Sequence, residues 1–466
     1  MPLHRTKHPS ALGESDIFSG HAMRVTVPKR RIPASGMPSD VAFQIVNDEL
    51  MLDGNARQNL ATFCQTWFDD HIHKLMDVSI DKNMIDKDEY PATASLEDRC
   101  VHMIADLWSS PAAGSTVGCS TTGSSEAAML AGLALKWNWR RRKQLKNGVA
   151  EKPNLVTGPV QVCWHKFARY FDVELRELPV DADHLGLTPQ TVLAAIDENT
   201  IGVVATMGVT FTCQYEPVAA IAAALDETEQ KTGLDVPLHV DAASGGFLAP
   251  FLHPELVWDF RLPRVRSINA SGHKFGLAPL GVGWVVWRRS EDLPEDLVFR
   301  VNYLGGNMPT FALNFSRPGG QIACQYYLML RLGHEGYRNL HEGSYAVARH
   351  LAKELEKIGP FRLLFDGDSR NGIPAVSWTL RAPDAAGYSL FDLSERLRAR
   401  GWQVAAYTMV PNLQDTVVMR VLVRHGFSRD LADALLDDVC RALESLETHP
   451  VARKMEAQFA PMYTHG

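Results

Sequence analysis

Short apolar runs alternate with helix-like segments through the middle of the chain, and this alternation restricts the fold more than any other feature. Five runs are predicted to be β-strands: GPVQVCW (158–164), IGVVATMGV (201–209), VPLHVDAA (236–243), RVRSINAS (264–271) and GVGWVVW (281–287). Helical patterns such as SEAAMLAGLALKW (125–137) and PVAAIAAALDETEQKTG (217–233) accompany them. Strands that are apolar on both faces are typical of sheets covered by helices on both sides. The pattern therefore predicts a largely parallel sheet in an α/β domain.

A smaller α/β unit is predicted after residue 345. It contains three helical segments, YAVARHLAKELEKIG (345–359), SLFDLSERLRARG (389–401) and RDLADALLDDVCRALESL (429–446), and two strands, AVSWTLR (375–381) and TVVMRVLV (416–423). We expect four parts in the chain: an N-terminal arm and segment (1–57), a large domain (58–345), a small C-terminal domain (346–450) and a tail (451–466).

The N-terminal part changes character near residue 41. The first 40 residues are rich in Pro, Ser, His and Arg, a composition that buries little core, so an arm ordered only by contact is expected. The following stretch, residues 41–67, predicts a short strand or helix, a turn at Asp53 and Gly54, and then a helix.

Charge and cysteine usage exclude several classes of protein. With 47 Lys and Arg against 54 Asp and Glu, the net charge is −7, which argues against nucleic acid as a partner. No secretory signal is visible, and the apolar run Ala127–Leu135 is too short to span a bilayer. The seven cysteines are scattered without a CxxC pair, as in a reducing compartment. We expect a soluble cytoplasmic protein without stable membrane insertion and, since nothing completes a site around His71 and His73, without a metal.

Lys274 gives the strongest chemical signal. It lies in SINASGHKFGLAPLGVGWVVW, between two apolar strands and close to three glycines. A lysine enclosed there has a lowered pKa, which suits an amine that forms a Schiff base. An ordinary loop lysine is the alternative interpretation.

Two further motifs suggest a ligand site, although each also has a purely structural interpretation. Asp241, in PLHVDAASGGF, ends a predicted strand, where a carboxylate points into the ligand crevice of a parallel sheet or only caps a helix. Ser124 and Ser125 follow Gly123 at the start of a predicted helix, where free N–H groups bind phosphate or are capped without a ligand. Together with Lys274, a phosphate site and a strand-end acid match the needs of pyridoxal 5'-phosphate.

Longer blocks of the sequence resemble a known family. DVAFQIVNDELMLDGNARQNLATFCQTW, CWHKFARYFDVELRELP, HVDAASGGFLAPF, SGHKFGLAPLG, NFSRPGGQ and LSERLRARGWQV closely resemble glutamate decarboxylases of the bacterial and plant type. The resemblance extends from about Val41 to Gly426. It implies the aminotransferase-like fold (fold type I) of pyridoxal-phosphate enzymes, with a large parallel-sheet domain and a small C-terminal α/β domain. It also implies decarboxylation of L-glutamate to 4-aminobutanoate by a homo-oligomer built from dimers; dimer and hexamer both remain open.

The resemblance also implies roles for individual residues. Cofactor contacts are expected from Lys274 as the lysine that bonds the cofactor, Asp241 at the ring nitrogen, Ser124, Ser125 and His273 at the phosphate, Thr210 near the ring hydroxyl, Gln161 and Ala243 on the two ring faces, and Ser316 from the neighbouring subunit. Catalytic roles fall to Lys274, Asp241 and His165, the last near the reacting carboxylate. Substrate contacts are expected from Thr62, Phe63, Asn83, Asp86 and Arg420.

The tail and the rival functions complete the expectations. The last sixteen residues hold only Arg453 and Lys454 as basic residues, so calmodulin is not expected as a partner. The penultimate His465 is predicted to enter the active-site mouth at neutral pH and to leave when protonated. Because decarboxylation consumes a proton, a role in acid resistance is expected. Another pyridoxal-phosphate decarboxylase, an aminotransferase and a catalytically silent scaffold are the alternatives.

Overall fold

The computed structural model describes residues 28–111, 116–145, 151–302 and 308–449. The chain divides into two compact units, residues 1–59 and residues 60–466. The described part of the first unit contains the helix Ser39–Leu50 and a single helical turn at Ala56–Gln58. The prediction of a helix after the turn at Asp53 and Gly54 is wrong, because only the single turn Ala56–Gln58 lies between the helix that ends at Leu50 and the next α-helix, which begins at Asp70.

A seven-stranded sheet forms the centre of the second unit, with the strand order β1-β7-β6-β5-β4-β2-β3. Its strands are β1 (Val117–Thr121), β2 (Asn154–Thr157), β3 (Glu174–Glu177), β4 (Thr200–Thr206), β5 (Leu238–Asp241), β6 (Val265–Ser271) and β7 (Gly283–Trp287). The neighbours from β3 to β6 are parallel, whereas β7 is antiparallel to both β6 and β1. The prediction of a largely parallel sheet is therefore confirmed.

Four of the five strands predicted for this sheet are present as β4, β5, β6 and β7, but the prediction for 158–164 is wrong. The strand β2 ends at Thr157, and a helix, Val162–Tyr170, begins where a strand was expected. The Gln161 side chain accepts a hydrogen bond from the Cys163 backbone N–H, which caps the start of this helix. A short apolar run suits a buried helix as well as a strand, so the pattern alone did not separate them.

Helices cover the sheet. They are Asp70–Val78, Pro91–Leu107, Ser124–Leu145, Val162–Tyr170, Pro189–Ala195, Val218–Thr232 and Ala249–Leu252. The helix Ser124–Leu145 packs on β6 and β7 through small buried residues such as Ala127 and Ala131. Their lack of bulk brings this helix close to the sheet, which positions its first turn beside the ends of the strands.

A second, four-stranded sheet lies toward the C-terminus, with the strand order β10-β11-β13-β12 and antiparallel neighbours throughout. Its strands are β10 (Phe361–Phe365), β11 (Ala375–Leu380), β12 (Ala405–Thr408) and β13 (Val417–Leu422). The helices Leu390–Arg398 and Arg429–Thr448 pack together beside it. A short two-stranded ribbon, β8 (Phe299–Val301) with β9 (Met308–Thr310), completes the described strands.

A long helix, Gly320–Ile358, connects the regions of the two sheets. Gly333 interrupts it with a non-helical conformation, φ 55° and ψ −169°, a backbone geometry that favours glycine. Because the helix continues through residue 345, the domain boundary expected there stays a prediction. In the described part of the chain, every helix is either too short or too polar to cross a membrane.

Candidate active site

The carboxyl ends of three neighbouring strands meet at one edge of the large sheet. Thr206 ends β4, Asp241 ends β5 and Ser271 ends β6. Ligands of α/β proteins bind at this edge. Here the structure forms a cavity of about 440 Å³. The predicted residues that line it are Thr62, Phe63, Ser124, Ser125, Gln161, Thr210, Asp241, Ala243, His273 and Lys274.

Lys274 follows β6 and extends into this cavity. Its Nζ atom lies 3.4 Å from the Ser244 hydroxyl and 4.8 Å from the centre of the Phe63 ring. Burial lowers the pKa of the Lys274 amine, while the nearby Asp241 charge acts in the opposite direction. An amine with a lowered pKa is uncharged more often at neutral pH, and the uncharged form is the nucleophile.

The Asp241 carboxylate is buried and held by three N–H donors. The Trp164 indole Nε1 lies 2.8 Å from Oδ2, and the Asn269 amide Nδ2 and the Ala243 backbone nitrogen each lie 3.1 Å from Oδ1. A carboxylate accepts from such donors in its ionised form. Asp241 can therefore present a negative charge to a protonated ring nitrogen.

The start of the helix Ser124–Leu145 provides a site for an anion. Gly123 and the two serines leave backbone N–H groups free at the first turn of a 22-residue helix. The Ser124 hydroxyl lies 2.6 Å from the Ser271 hydroxyl at the end of β6. The helix start also approaches β7 so closely that a Cβ atom at Gly283 would lie 2.3 Å from the Gly123 carbonyl carbon. These contacts fix the helix start at the edge of the cavity.

His273 precedes the lysine and faces the same helix start. Its Nδ1 atom accepts from the Val282 backbone N–H at 3.2 Å. Burial, together with the Lys274 charge, lowers the pKa of His273 to about 4. The imidazole is therefore neutral near pH 7, and it can donate through Nε2.

Several predicted residues lie outside the set that lines the cavity. His165 is half-buried on the helix Val162–Tyr170, and its Nε2 lies 3.3 Å from a Glu177 carboxylate oxygen. Asn83 donates to the Ser316 hydroxyl at 3.2 Å, and Asp86 lies on the same loop as Asn83. The roles of these four residues stay predictions. His465 falls outside the described residues.

Arg420 reaches the cavity only through its neighbours. Its guanidinium is buried, lies 4.5 Å from the centre of the Phe63 ring, and donates to the backbone carbonyls of Ala61 and Thr210. Phe63 and Thr210 line the cavity. Arg420 therefore links two segments of the cavity wall, through its ring contact with Phe63 and its hydrogen bond to Thr210. Direct binding of a substrate carboxylate by Arg420 stays a prediction.

Several residues at the site were not predicted, and four of them illustrate why. Trp164 and Asn269 bind Asp241, and Thr206 and Cys64 line the cavity. The signal for Asn269 was available, since a polar residue inside the predicted strand RVRSINAS needs a partner. Trp164 could not be placed because its segment was assigned to a strand.

The cavity fits pyridoxal 5'-phosphate in its donors. Within the described residues, the buried Thr206 hydroxyl that lines it has no hydrogen-bond partner, as expected where a ligand supplies one. No group of three or more His, Cys, Asp or Glu side chains in the described ranges could hold a metal ion. Lysine, strand-end acid and helix N-terminus around one cavity define the class of α/β enzymes that bind this cofactor through a lysine.

Comparison with known proteins agrees with that class. Residues 33–381 match the model of the pyridoxal-dependent decarboxylase conserved domain. The chain is 60% identical to a glutamate decarboxylase of Aliivibrio fischeri, over the full length of both chains. The chain therefore belongs to the pyridoxal-dependent decarboxylase family.

Further relatives extend the similarity. A glutamate decarboxylase of Petunia hybrida is 48% identical, with 97% of this chain and 90% of the relative covered. The solved structure of a Lactobacillus brevis glutamate decarboxylase superimposes with a TM-score of 0.90 at 45% identity, with 93% and 99% of the two chains covered. The predicted fold class, cofactor and family resemblance are thus confirmed.

Proposed function

We propose that this protein decarboxylates L-glutamate to 4-aminobutanoate and CO2, with uptake of one proton. The 60% identity over full length to the Aliivibrio fischeri glutamate decarboxylase carries the choice of substrate. The cavity that contains both Lys274 and Asp241 supports the class of reaction.

Residues on several elements of the large sheet would hold pyridoxal 5'-phosphate. Ser124, Ser125 and His273 surround the helix start, where its phosphate would bind. Asp241 would pair with the ring nitrogen and Lys274 would bond the cofactor. When bound, the cofactor supplies a cationic ring that withdraws the electrons left behind when a carboxylate departs as CO2.

The side chains then have separate tasks. Asp241 keeps a proton on the ring nitrogen, because its carboxylate is held in the acceptor form by three donors. Because its lowered pKa makes Lys274 release a proton more readily than an exposed lysine does, its Nζ could deliver a proton to the substrate Cα after CO2 leaves. The Phe63 ring, 4.8 Å from this nitrogen, excludes water from that side.

We assign recognition of the distal carboxylate of glutamate to the part of the cavity that contains Thr62 and Phe63. Thr62 and Phe63 line the cavity, and Arg420 supports Phe63 from behind. A site that pairs the distal carboxylate rejects neutral amino acids, whose side chains would leave polar groups unpaired.

A homo-oligomer built from dimers agrees with the position of Ser316. This hydroxyl and its partner Asn83 lie outside the residues that line the cavity of their own chain. The family resemblance expects Ser316 to reach the phosphate of a neighbouring subunit. Mass measurement in solution by light scattering tests for a dimer or a multiple of it; a monomer would contradict the proposal.

A cytoplasmic location and a role in acid resistance are part of the proposal. Among the described cysteines none forms a disulfide, which suits a reducing compartment. Removal of one proton for each glutamate would raise the pH of the surrounding compartment.

Product analysis tests the function. Purified protein is incubated with L-glutamate and pyridoxal 5'-phosphate, and CO2 and 4-aminobutanoate are measured in equal amounts if the proposal holds. Formation of a 2-oxo acid only when an amino-group acceptor is added would identify an aminotransferase. CO2 from another amino acid in place of glutamate would identify a different decarboxylase of the same fold.

A further inference from the structure

A chain of buried polar side chains leads away from Asp241 into the sheet. The Asn269 amide donates to Asp241 at 3.1 Å through Nδ2, and its Oδ1 atom lies 2.7 Å from Nε2 of His239. The other ring nitrogen of His239, Nδ1, lies 2.8 Å from the Ser267 hydroxyl. All four residues are at most 4% exposed.

The register of two parallel strands builds this chain. Asp241 stands opposite Asn269, and His239 stands opposite Ser267, across the pair β5 and β6. Residues two apart on a strand share one face of a sheet. The four side chains therefore lie on one face of the sheet, and the buried apolar residues Val240 and Ile268, which stand between them in the sequence, lie on the opposite face.

The direction of the hydrogen bonds follows from the charge of the imidazole. Burial lowers the pKa of His239 to about 4, so the ring is neutral near pH 7 and carries one N–H. If that N–H is at Nε2, it donates to Oδ1 of Asn269, and Nδ1 accepts from the Ser267 hydroxyl. This arrangement leaves the amide N–H of Asn269 for Asp241. The opposite orientation would turn the amide oxygen toward the carboxylate and oppose its charge.

We propose that His239 and Asn269 are positioning residues that hold the Asp241 carboxylate ionised and oriented toward the ring nitrogen of pyridoxal 5'-phosphate. His239 acts by fixing the orientation of the Asn269 amide, and Asn269 acts by donating to Asp241. The inference rests on the cofactor binding of the proposed function, but it does not depend on glutamate as the substrate. Neither side chain lines the cavity, so their effect is transmitted through Asp241.

The first test measures cofactor affinity rather than turnover. The full chain is stripped of cofactor and titrated with pyridoxal 5'-phosphate, and binding is followed by tryptophan fluorescence and by the visible absorption band. Asn269→Leu is expected to weaken binding about tenfold to hundredfold, the usual effect of losing a hydrogen bond to a charged group. Binding within twofold of the wild type would overturn the proposal.

Asn154→Leu is a matched control. Asn154 is fully buried at the opposite end of β2, donates to Asp197 at 2.9 Å and accepts from the Thr200 hydroxyl at 2.8 Å. This variant loses the same two kinds of hydrogen bond in the same sheet, but away from the cavity. It is expected to lower thermal stability and to leave cofactor affinity unchanged. Equal losses of affinity in both leucine variants would show that Asn269 only stabilises the fold.

A second pair of variants tests the direction of the hydrogen bond between His239 and Asn269. It remains decisive if Asn269→Leu fails to fold. His239→Gln keeps an N–H donor near the position of Nε2, whereas His239→Asn places its amide near Nδ1, away from Asn269. His239→Gln is expected to bind the cofactor within about threefold of the wild type, and His239→Asn at least about tenfold more weakly. Equal affinity in the two variants would contradict the role of His239. If the wild-type chain binds no pyridoxal 5'-phosphate, the proposed function itself fails.

Discussion

Asp241 and Asn269 stand opposite each other on adjacent parallel strands, and the Asn269 amide nitrogen lies 3.1 Å from the Asp241 carboxylate. The Trp164 indole donates to the second carboxylate oxygen at 2.8 Å. The protein therefore fixes the orientation of this carboxylate through its own side chains. Such preorganisation avoids the cost of orienting the acid when the cofactor binds.

Replacement of Asp241 by asparagine is predicted to lower the decarboxylation rate severely. In Asp241→Asn, an amide would replace the carboxylate among donors, so that its own N–H₂ group would face Trp164 or Asn269. The variant also loses the charge that stabilises a protonated ring nitrogen. We expect the decarboxylation rate to fall by about two orders of magnitude or more, measured as CO2 release at saturating glutamate and cofactor.

Asp259→Asn serves as the control for that variant. Asp259 is also buried, and it binds Arg261 and Ser109 away from the cavity. It is expected to lower the melting temperature while the rate per folded molecule stays near that of the wild type. An unchanged rate in Asp241→Asn would show that the ring nitrogen does not need this partner.

Lys274→Ala is predicted to abolish turnover while the fold persists. Among the residues that the structure describes, Lys274 is the lysine that lines the cavity. Its loss therefore removes both the amine that would bond the cofactor and a proton donor. Truncation in a cavity wall leaves the packed sheet unchanged, so far-ultraviolet circular dichroism should match the wild type. The visible absorption band of a lysine-bound cofactor should disappear. Activity above a tenth of the wild-type value would contradict the assignment.

The sequence predicted the residues that carry the chemistry of the site, but it did not predict the side chains that hold those residues in place. Lys274 and Asp241 were found because their segments combine apolar strands with chemically unusual ends. Asn269 was missed because its role depends on the register between β5 and β6, which the separate segments do not reveal. Trp164 was missed because the helix that carries it begins after a side-chain cap at Gln161, whereas the apolar letters alone suited a strand.

The predicted substrate residues show a similar limit. Thr62 and Phe63 line the cavity, but Arg420 lies behind Phe63. Sequence similarity assigned Arg420 to the substrate. Only the tertiary structure shows that Arg420, on β13, contacts Ala61 and Phe63. The position of Asn83 beside Ser316 likewise follows from tertiary structure, since 233 positions separate them.

Arg420→Met is predicted to raise the KM for glutamate. The guanidinium donates to the carbonyls of Ala61 and Thr210, and methionine would remove both of these hydrogen bonds and loosen the contact with Phe63. We expect KM to rise about tenfold or more, with a smaller change for Arg420→Lys, which restores one donor but not the planar fork. Steady-state kinetics measures this change.

Arg264→Met is a control for Arg420→Met. Arg264 is equally buried, but it pairs with Asp226, Glu229 and Asp235 away from the cavity. It is expected to lower stability without changing KM. If Arg420→Met keeps the wild-type KM while it loses stability, Arg420 supports the fold only.

His465→Ala is predicted to extend activity toward neutral pH. An unprotonated imidazole is a nucleophile, and it loses that character when the pH falls below its ordinary pKa near 6.5. If His465 closes the site at neutral pH, the wild type should gain activity as the pH falls, and the variant should remain active near pH 7. Rate and visible absorption are measured together between pH 4 and pH 8. Identical titrations of the two proteins would exclude His465 as the gate.

A buried glutamate outside the cavity is predicted to make stability depend on pH. Glu216 accepts from the backbone N–H groups of Leu187 at 2.9 Å and Thr206 at 2.7 Å. Burial is the main cause that raises its pKa to about 7 from an ordinary 4.5, and the two N–H groups oppose it. Between these two values the folded chain binds more protons than the unfolded chain, so the free energy of unfolding falls as the pH rises. The stability that protonation of Glu216 contributes is fully present below pH 4.5, and it is lost as the pH rises through 7.

Glu216→Gln removes this titration and provides the measurement. The unfolding free energies of wild type and variant are compared by urea denaturation from pH 4.5 to pH 7.5. The difference, wild type minus variant, is expected to decrease with rising pH by a total on the order of 3 kcal/mol. Glu335→Gln, at an exposed position on the helix Gly320–Ile358, is the control and should keep a constant difference from the wild type. A difference for Glu216→Gln that is flat or increases with pH would contradict the raised pKa.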